Sequence, residues 1–246
     1  MCKDKITGAP ESTPQIFAVP CANNINENCF SALYQFCSSE RRQKVKSFQF
    51  REDACRSLTG EALIRYAIFA NTQIMENGSS FITNSYGKPS LPNSSLQFNI
   101  SHSGKWVVCA IDRFDIGIDI EKNRNVSQDL SSNFSPEEKE LLSECTCEKH
   151  FTEVFFRIWT LKESYIKSIG EGFSCPFDSF ACIPGKECTV ELKRYNQDLP
   201  TRHLKTLSVE QGYSSAVCTT EKFKQIAVTI ISVSDLIGKL GIGIYL

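Results

Sequence analysis

The stretch Ile116-Gly117-Ile118-Asp119-Ile120-Glu121 alternates strictly between isoleucine and a small or acidic residue. Successive side chains of a β-strand point to opposite faces of the sheet, so the isoleucines predict one buried face. Gly117, Asp119 and Glu121 then share the other face. Two carboxylates on one strand face repel each other unless a cation lies between them, and Mg²⁺ takes such oxygen ligands. Taken alone, the acidic pair also fits an edge strand with a solvated face.

A helical segment later in the chain carries a third acid, Glu163. It lies on a helix predicted from about Phe151 to Ile169 and closed by Gly170. Lys167 follows Glu163 by four residues and therefore shares its helical face. One interpretation makes Glu163 a metal ligand or a base and Lys167 a phosphate contact. The other is a surface salt bridge that contributes about 0.2–0.5 kcal/mol.

Two strands are predicted upstream, from Leu96 to Ile100 and from Trp106 to Asp112, with Ser101-His102-Ser103-Gly104 as the turn between them. In that turn, His102 is either a ligand contact or a structural hydrogen-bonding residue. Gly87-Lys88-Pro89 lies in an earlier loop that is rich in turn-forming residues. Its glycine allows close approach of a ligand, its proline stiffens the turn, and its lysine supplies charge.

Basic residues cluster in the first part of the chain. Arg41-Arg42-Gln43-Lys44-Val45-Lys46 precedes a helix that is predicted from about Glu52 to Met75 and stopped by Asn77-Gly78, and Arg56 lies on that helix. The cluster is either a solvated basic face or a socket for a phosphate-rich ligand.

Both long helices carry a similar short pattern. On the first, Arg51-Glu52 is followed by Arg56-Ser57-Leu58; on the second, Lys162-Glu163 is followed by Lys167-Ser168-Ile169 at the same spacing. This echo indicates two related halves, each of α+β type.

Shorter elements make up the rest of the chain. Ser135-Pro136-Glu137-Glu138 predicts a helix start with Ser as the N-cap, Pro at the first helical position and Glu138 completing a capping box. Short strands are predicted from Cys188 to Leu192 and from Ile226 to Ser232.

The bulk composition limits the class of protein. The 246 residues are 41% hydrophobic, enough for one large core or two packed smaller ones, and a net charge of −1 gives no reason to expect bulk nucleic-acid binding. No run of about 18 or more apolar residues occurs, which excludes a membrane span. No secretory signal is visible, so the 12 cysteines are predicted to be reduced thiols of a cytoplasmic protein.

Cys145, Cys147 and His150 form a short cluster, but no fourth zinc ligand is evident, so a helix end and loop is the favoured interpretation. The absence of a G-x-x-x-x-G-K-[ST] loop disfavours the common ATP-dependent enzymes. The residues by themselves therefore predict a Mg²⁺ site of three carboxylates flanked by lysines and arginines. Proteins use such an arrangement for phosphoryl chemistry.

Five motifs in order resemble the 4'-phosphopantetheinyl transferases, most closely the Sfp type, which is the long single-chain form. They are Gly87-Lys88-Pro89, Phe98-Asn99-Ile100-Ser101-His102-Ser103, Gly117-Ile118-Asp119-Ile120-Glu121, Trp159-x-x-Lys162-Glu163-x-x-x-Lys167 and Gly170-x-Gly172. Each motif alone is weak, whereas all five in order are highly specific. The similarity extends from about Arg41 to Phe180 and so covers most of the chain.

The resemblance implies an α+β fold of two similar pseudo-symmetric halves, each a small, mostly antiparallel sheet packed on a long helix. We expect residues 1–113 to carry the coenzyme-binding basic residues and loop, and residues 114–246 to carry the metal site, as a single functional unit with the active site between the halves. The resemblance also implies a monomer, coenzyme A as co-substrate and Mg²⁺ or Mn²⁺ as the metal. By resemblance, the metal ligands are Asp119, Glu121 and Glu163.

The same resemblance implies a set of coenzyme A contacts. In chain order these are Arg41, Lys44, Arg56, Ser57, Gly87, Lys88, Pro89, Ser101, His102, Asp119, Lys162 and Lys167. Within this set, His102 is expected near the adenosine 3'-phosphate. Lys162 and Lys167 are expected near the pyrophosphate, and Lys88 and Pro89 near the adenine.

The implied reaction moves 4'-phosphopantetheine to a serine of an acyl or peptidyl carrier protein and releases adenosine 3',5'-bisphosphate. The carrier serine attacks the β-phosphate, Lys167 meets the charge of the leaving group, and either Glu163 or Glu138 takes the serine proton. The capping box gives Glu138 a structural alternative. Such enzymes serve peptide or polyketide synthases of antibiotic biosynthesis, or fatty-acid carriers.

The carrier is expected to dock on the apolar stretch after Ser127, around Phe134, Leu141 and Leu142. Two other functions stay open at this point: a coenzyme A-binding module without transfer activity, and a Mg²⁺-dependent phosphohydrolase that uses water in place of serine. Three intact carboxylates argue against a pure binder, because binding alone needs no metal at the reacting phosphates.

Overall fold

The computed structural model describes residues 11–21, 25–74, 81–185, 190–195 and 198–243. Its α-helices are α1 (Glu27–Phe36), α2 (Ser39–Val45), α3 (Arg51–Thr72), α4 (Pro136–Ser143), α5 (Glu148–Ile169) and α6 (Val233–Lys239). Its strands are β1 (Glu11–Ser12), β2 (Gln15–Pro20), β3 (Ile82–Thr83), β4 (Pro89–Ser90), β5 (Gln97–Ser103), β6 (Trp106–Asp112), β7 (Ile116–Lys122), β8 (Phe180–Pro184), β9 (Val190–Arg194), β10 (His203–Leu207), β11 (Tyr213–Thr219), β12 (Lys222–Phe223) and β13 (Val228–Ile230).

Helix α3 packs on a four-stranded sheet of order β13-β2-β6-β5. Strands β2 and β5 both pair antiparallel with β6, which is buried along nearly its whole length. Residues on every side of α3 are buried, because the sheet covers one side while α1, α2 and α6 cover others. Leu58 and Leu63 of α3 meet Val107 and Cys109 of β6 in the core of this first half.

Helix α5 packs on a three-stranded antiparallel sheet of order β10-β11-β7. Leu161 and Tyr165 of α5 lie in one core cluster with Ala216 and Cys218 of β11. The antiparallel pair β8–β9 extends this second half. Both α3 and α5 have 22 residues, and each rests on a small, mostly antiparallel sheet. The predicted α+β fold is therefore confirmed.

The last part of the chain crosses back to the first half. Strand β13 pairs in parallel with β2, and α6 buries Leu236 and Ile237 in the core around α3. The expected division at residue 113 counts this segment with the second half, whereas it packs with the first. The sequence echo also fails to mark equivalent positions, because Arg51 opens α3 while Lys162 lies towards the end of α5.

Strand β7 shows the predicted alternation. Ile116, Ile118 and Ile120 are fully buried in the core cluster that they share with β6 and β11. On the opposite face, α5 crosses directly over Gly117. A Cβ atom at that position would lie 2.0 Å from the main-chain oxygen of Ser164, which is shorter than any contact that a real Cβ atom makes. Glycine is therefore required for the helix to approach this strand.

Most predicted elements are present, with shifted ends. Helix α5 starts slightly earlier than expected and ends at Ile169 as predicted, with Gly170 as its C-cap in the left-handed conformation at φ 81°. The capping box of Ser135 and Glu138 is present at the start of α4. The predicted turn at residues 101–104 is wrong, because residues 101–103 continue β5 and Gly104, with φ 54°, turns together with Lys105.

Helix α3 ends at Thr72, and Gln73 closes it in the left-handed conformation. The predicted helix end at Met75, the stop at Asn77-Gly78 and the strand start at Cys188 lie outside the described residues. Of the strand predicted from Ile226 to Ser232, residues 228–230 form β13.

Ten cysteines fall within the described residues, and all of them are free thiols. Cys145 follows α4 and Cys147 is the N-cap of α5, so the cluster with His150 is the predicted helix end and loop. In the described part of the chain, no three His, Cys, Asp or Glu side chains are placed so as to hold a metal ion. Within the same residues, no helix has the length and apolar character needed to cross a bilayer.

We expect Gly117→Ala to lower the free energy of unfolding by about 1–3 kcal/mol or more, because the added methyl group overlaps the backbone of α5. Thermal or chemical denaturation measures the effect. Gly238→Ala is the matched control: it lies within α6 with no heavy atom near the new Cβ, so it should be neutral or slightly stabilising. Equal losses in the two variants would contradict the close approach at Gly117.

Candidate active site

Strands β5 and β7 lie side by side where the two halves meet, although they belong to different sheets. Side chains join them. The Ser101 hydroxyl donates a hydrogen bond to Asp119 Oδ1 at 2.7 Å, and the Ser103 hydroxyl donates to Glu121 Oε2 at 2.6 Å. Because both strands alternate with a period of two, serines at every second position of β5 face the acids at every second position of β7.

Two more hydrogen bonds hold this junction, which we call the β5–β7 seam. The Asn99 side-chain oxygen accepts from the Ile118 amide at 2.9 Å, and the Ser215 hydroxyl of β11 donates to the main-chain oxygen of Asp119 at 2.7 Å. The backbone that carries Asp119 is thus fixed from both neighbouring strands.

Lys167 reaches the seam from α5. Its Nζ lies 2.5 Å from Asp119 Oδ1 and 3.2 Å from the Ser101 hydroxyl oxygen. Of the two interpretations of Glu163 and Lys167, the surface salt bridge between them is wrong, since Lys167 pairs with Asp119 instead. The other carboxylate oxygen of Asp119, Oδ2, is buried and has no hydrogen-bond partner among the described residues.

Three carboxylates surround this point. Burial raises the pKa of Glu163; Lys167 opposes that rise, and the charges of Asp119 and Glu121 add to it. Burial likewise raises the pKa of Glu121, against the hydrogen bond from Ser103 and with the added repulsion of Asp119. The carboxylates of this group therefore repel Glu163 and Glu121, and a bound cation relieves such repulsion.

The predicted metal ligands are thus brought into one region without closing into a coordination sphere, because Lys167 and Ser101 occupy Asp119 Oδ1. The residues nevertheless fit Mg²⁺ in their chemistry: all three are oxygen donors, and Asp119 Oδ2 is a buried oxygen without a partner in the described structure. Glu121 and Glu163 are only half-buried.

A cleft of about 300 Å³ opens beside the seam, between the two halves. It is lined on one side by the loop of the first half and on the other by α5 and the residues after it, including Gly87, Lys88, Pro89, Glu163, Lys167 and Gly170. The predicted ligand loop, Gly87-Lys88-Pro89, and the predicted metal ligand Glu163 thus line the same cleft.

Lys88 lines that cleft and is also bonded to the second half. Its Nζ donates to the main-chain oxygens of Ile116 at 3.2 Å and Ser168 at 3.1 Å, and burial lowers the pKa of Lys88. The neighbouring Asn84 amide donates to the Gly170 oxygen at 2.9 Å. The amino group of Lys88 therefore joins the loop to the second half, and its role as a ligand contact stays a prediction.

A second cleft, of about 410 Å³, is lined by several basic residues of the first half and shares Pro89 with the first cleft. Arg41 and Lys44 of α2 line it. The Arg41 guanidinium donates through Nε to Glu61 at 3.2 Å and through Nη1 to the Ser57 hydroxyl at 3.1 Å. Ser57 is itself buried, so it supports Arg41 rather than offering its hydroxyl to a ligand.

His102 lies on the face of β5 opposite Ser101. Desolvation by the surrounding chain, and then the charge of Arg56, lower the pKa of His102. Arg56 donates to the main-chain oxygen of Gly104 at 2.7 Å and pairs with Asp53. Ser101, expected at the coenzyme phosphates, has its hydroxyl committed to Asp119.

A 4'-phosphopantetheinyl transferase N-terminal model matches residues 24–113, and a 4'-phosphopantetheinyl transferase superfamily model matches residues 115–220. The 4'-phosphopantetheinyl transferase Sfp of Bacillus subtilis (strain 168) is 36% identical over 221 residues, which cover 89% of this chain and 96% of that protein. The chain belongs to the 4'-phosphopantetheinyl transferase family.

Other members are similarly close. The 4'-phosphopantetheinyl transferase gsp of Aneurinibacillus migulanus is 32% identical over 90% of this chain and 93% of its own length. Among solved structures, a Bacillus anthracis holo-(acyl-carrier-protein) synthase in complex with CoA (3',5'-ADP) aligns at 19% identity with a TM-score of 0.37, over 44% of this chain and 96% of that one. The Sfp-type resemblance is confirmed by the sequence relatives, and this chain is a phosphopantetheinyl transferase enzyme.

Two residues expected to act in this transferase are structural instead. Lys162 and Glu138 are both fully buried and pair at 2.8 Å between Nζ and Oε1. Lys162 also donates to the main-chain oxygen of Phe180, while Glu138 accepts the amide N–H groups of Ser135 and Cys182. The predictions of Lys162 at the pyrophosphate and Glu138 as a base are corrected, because neither side chain reaches a cleft.

Phe134, expected on the carrier-docking surface, is also buried. Its ring stacks on Phe155 at 5.2 Å between centroids and on Phe177 at 6.2 Å. Leu142 is buried in the same cluster. The apolar side chain that is exposed nearby is Leu130, which lines a third cleft of about 380 Å³ together with Phe134 and Glu163.

Four residues that hold the side chains of the two clefts in place were not identified from the sequence. They are Asn99 and Ser103 of the seam, and Glu61 and Arg65 of α3. The alternation N-x-S-x-S at residues 99–103 could have indicated the first two, once that segment was taken as strand rather than turn. Glu61 and Arg65 are four residues apart, a spacing that also fits an ordinary exposed pair on a helix surface.

We expect Lys162→Met to lower the free energy of unfolding by about 3–5 kcal/mol, because it leaves Glu138 as a buried, uncompensated charge. Urea denaturation measures this. Lys193→Met removes the partner of the adjacent Glu137 in an exposed pair and should cost less than about 1 kcal/mol. If the Lys162→Met enzyme has normal stability but no longer binds coenzyme A, Lys162 contacts the coenzyme as first predicted.

Proposed function

We propose that this phosphopantetheinyl transferase is Mg²⁺-dependent, with Mn²⁺ as a substitute, and releases adenosine 3',5'-bisphosphate as it modifies a carrier serine. One observation supports this most directly. Glu163 lines both the cleft beside Gly87-Lys88-Pro89 and the cleft beside Leu130. The carboxylate thus lies where a donor in the first cleft and a serine entering by the second would meet.

Asp119, Glu121 and Glu163 would hold the metal ion. When bound, it would supply positive charge that stabilises the reacting phosphates. The unpartnered Asp119 Oδ2 and the mutual repulsion of the three acids support this assignment.

The seam residues hold the charged side chains of the site in fixed positions. Ser101 and Ser103 fix the rotamers of Asp119 and Glu121, and the Lys167 ammonium stands beside Asp119, close to where the phosphates would lie. Such pre-set charge needs little reorganisation when negative charge develops. Lys167 is our choice to meet the leaving phosphate.

The covalent step forms one bond and breaks one. The serine oxygen of the carrier attacks the phosphorus that bears pantetheine, and the phosphoanhydride bond to the adenosine part breaks. The serine proton passes to Glu163, directly or through a water molecule. Glu138 is excluded from that role, because its carboxylate is fully buried and occupied by Lys162 and two amide groups.

The coenzyme would extend from the seam past Pro89 towards Arg41 and Lys44, with His102 of β5 and the neighbouring Arg56 of α3 beside it. Both clefts are built by one chain, so we propose that the enzyme acts as a monomer. Its carriers are proposed to be those of peptide or polyketide synthases, with fatty-acid carriers as the alternative.

Asp119→Asn should lower the transfer rate by at least about 10²–10³-fold, as for the loss of a principal electrostatic group. The assay incubates the enzyme with coenzyme A, Mg²⁺ and an apo carrier protein, and mass spectrometry detects the added phosphopantetheine on serine. Asp115→Asn, at an exposed acid paired with Arg202, should keep the rate. An Asp119→Asn enzyme with full activity would refute the metal assignment.

The same assay distinguishes the other functions. Cleavage of coenzyme A without mass addition to any of several carriers would indicate a phosphohydrolase. Binding of coenzyme A without either product would indicate a binding module. Activity that persists in excess chelator would contradict the metal dependence.

Leu130→Asp should raise the carrier KM by about tenfold, as for removal of one apolar interface anchor, and leave the KM for coenzyme A unchanged. Leu130 is 55% exposed beside the cleft that contains Glu163. Ile230→Asp, at a similarly exposed residue on β13 in the first half, is the control and should change neither constant. An unchanged carrier KM for Leu130→Asp would place the docking surface elsewhere.

A further inference from the structure

Glu61 is a buried acid at the centre of α3 that none of the chemistry above uses. Its side chain is 2% exposed. Oε1 accepts hydrogen bonds from the Ser38 amide at 2.7 Å and from Arg65 at 2.9 Å; Oε2 accepts from the Ser38 hydroxyl at 3.0 Å and from Arg41 Nε at 3.2 Å. One carboxylate therefore connects α3, the start of α2 and two arginines.

The Ser38 contacts determine where α2 begins. Ser38 is the N-cap of α2, and its hydroxyl also accepts the Arg41 amide at 3.2 Å. By binding both the amide and the hydroxyl of this cap, Glu61 fixes the first turn of the helix that carries Arg41 and Lys44. Burial raises the pKa of Glu61, but the Ser38 and Arg65 contacts outweigh burial and hold that pKa below its usual value.

The Arg41 guanidinium is held along one edge. Glu61 takes Nε–H and Ser57 takes Nη1–H, and both acceptors lie on consecutive turns of α3. The side chain stays 28% exposed, and Arg41 lines the 410 Å³ cleft with Lys44. Its remaining N–H groups, which have no acceptor among the described residues, are available on the exposed side.

The cleft suits a phosphate group. A guanidinium that is held on one edge offers fixed donors on the other, which matches the geometry of phosphate oxygens. The lining of this cleft shares Pro89 with that of the seam cleft, whereas Glu163 and Lys167 line the seam cleft and not this one. A phosphate near Arg41 is therefore a different one from the reacting pair.

We propose that Glu61 is a positioning residue that aims Arg41 at the ribose 3'-phosphate of coenzyme A. The proposal rests on the proposed function, because it takes coenzyme A as the donor. An unrestrained arginine loses much rotamer freedom when it binds, whereas one already held by Glu61 and Ser57 loses little. Glu61 itself touches no substrate and acts through Arg41.

Glu61→Gln tests the idea sharply. With the amide oxygen at the Oε1 position, where Ser38 and Arg65 donate, the amide N–H₂ faces Arg41 Nε–H, donor against donor. We expect the KM for coenzyme A to rise about tenfold, as for loss of one charge-assisted hydrogen bond, with kcat nearly unchanged. The KM for dephospho-coenzyme A, which lacks the 3'-phosphate, should change less than about twofold.

Two further variants separate positioning from a general loss of structure. Ser57→Ala removes only the Nη1 acceptor and should raise the coenzyme A KM by a smaller factor in a well-folded enzyme. In an Arg41→Ala background, Glu61→Gln should cause no additional rise in KM, since no guanidinium is left to aim.

Equilibrium binding of nucleotides tests the role of Glu61 without relying on the transfer reaction. Calorimetry with adenosine 3',5'-bisphosphate and adenosine 5'-monophosphate should show that Glu61→Gln weakens only the first. Equal effects on both nucleotides, equal effects on both coenzyme forms, or a full additional effect without Arg41 would overturn the proposal. A wild-type enzyme that binds the bisphosphate preferentially but transfers nothing would instead refute the proposed reaction.

Discussion

The ion pair between Lys167 and Asp119 is the interaction on which the arrangement of the site depends. It connects the end of α5 to the middle of β7, and Ser101 of β5 binds both partners. A single junction therefore ties together the long helix of one half, its edge strand and the edge strand of the other half. Two charges at this depth are tolerated because each has its partner and further hydrogen bonds.

Close packing makes that junction possible. Gly117 lets α5 lie directly on β7, so that Lys167 in the last turn of the helix can reach Asp119 on the strand. The Glu138–Lys162 pair fixes the opposite face of the same helix against α4 and β8. With both faces fixed, Glu163 is held between the two clefts, and the chemistry proposed for it needs no rearrangement of the backbone.

In the first half, a basic residue is also held in place by hydrogen bonds to neighbouring side chains. Glu61, buried in α3, determines the position of Arg41 through its own hydrogen bonds, much as Ser101 does for Asp119. Lys88 donates hydrogen bonds to main-chain oxygens of the second half and holds the two halves together beside the cleft. Some basic side chains of this enzyme therefore stabilise the site, while others, such as Arg41, are the ones we propose to bind the donor.

The sequence by itself determined the strand that carries Asp119 and Glu121, the long helix that carries Glu163, and the family, because alternation, capping and motif order are local properties of the chain. It did not separate Lys162 from Lys167, five residues apart on one helix, since only packing decides which face meets the acids and which is buried against Glu138. Prediction from the sequence also assigned residues 101–103 to a turn, whereas they belong to β5, and it did not identify Glu61. Burial of a charge, and the partner that permits it, depend on contacts between distant segments, and only the tertiary structure supplies those.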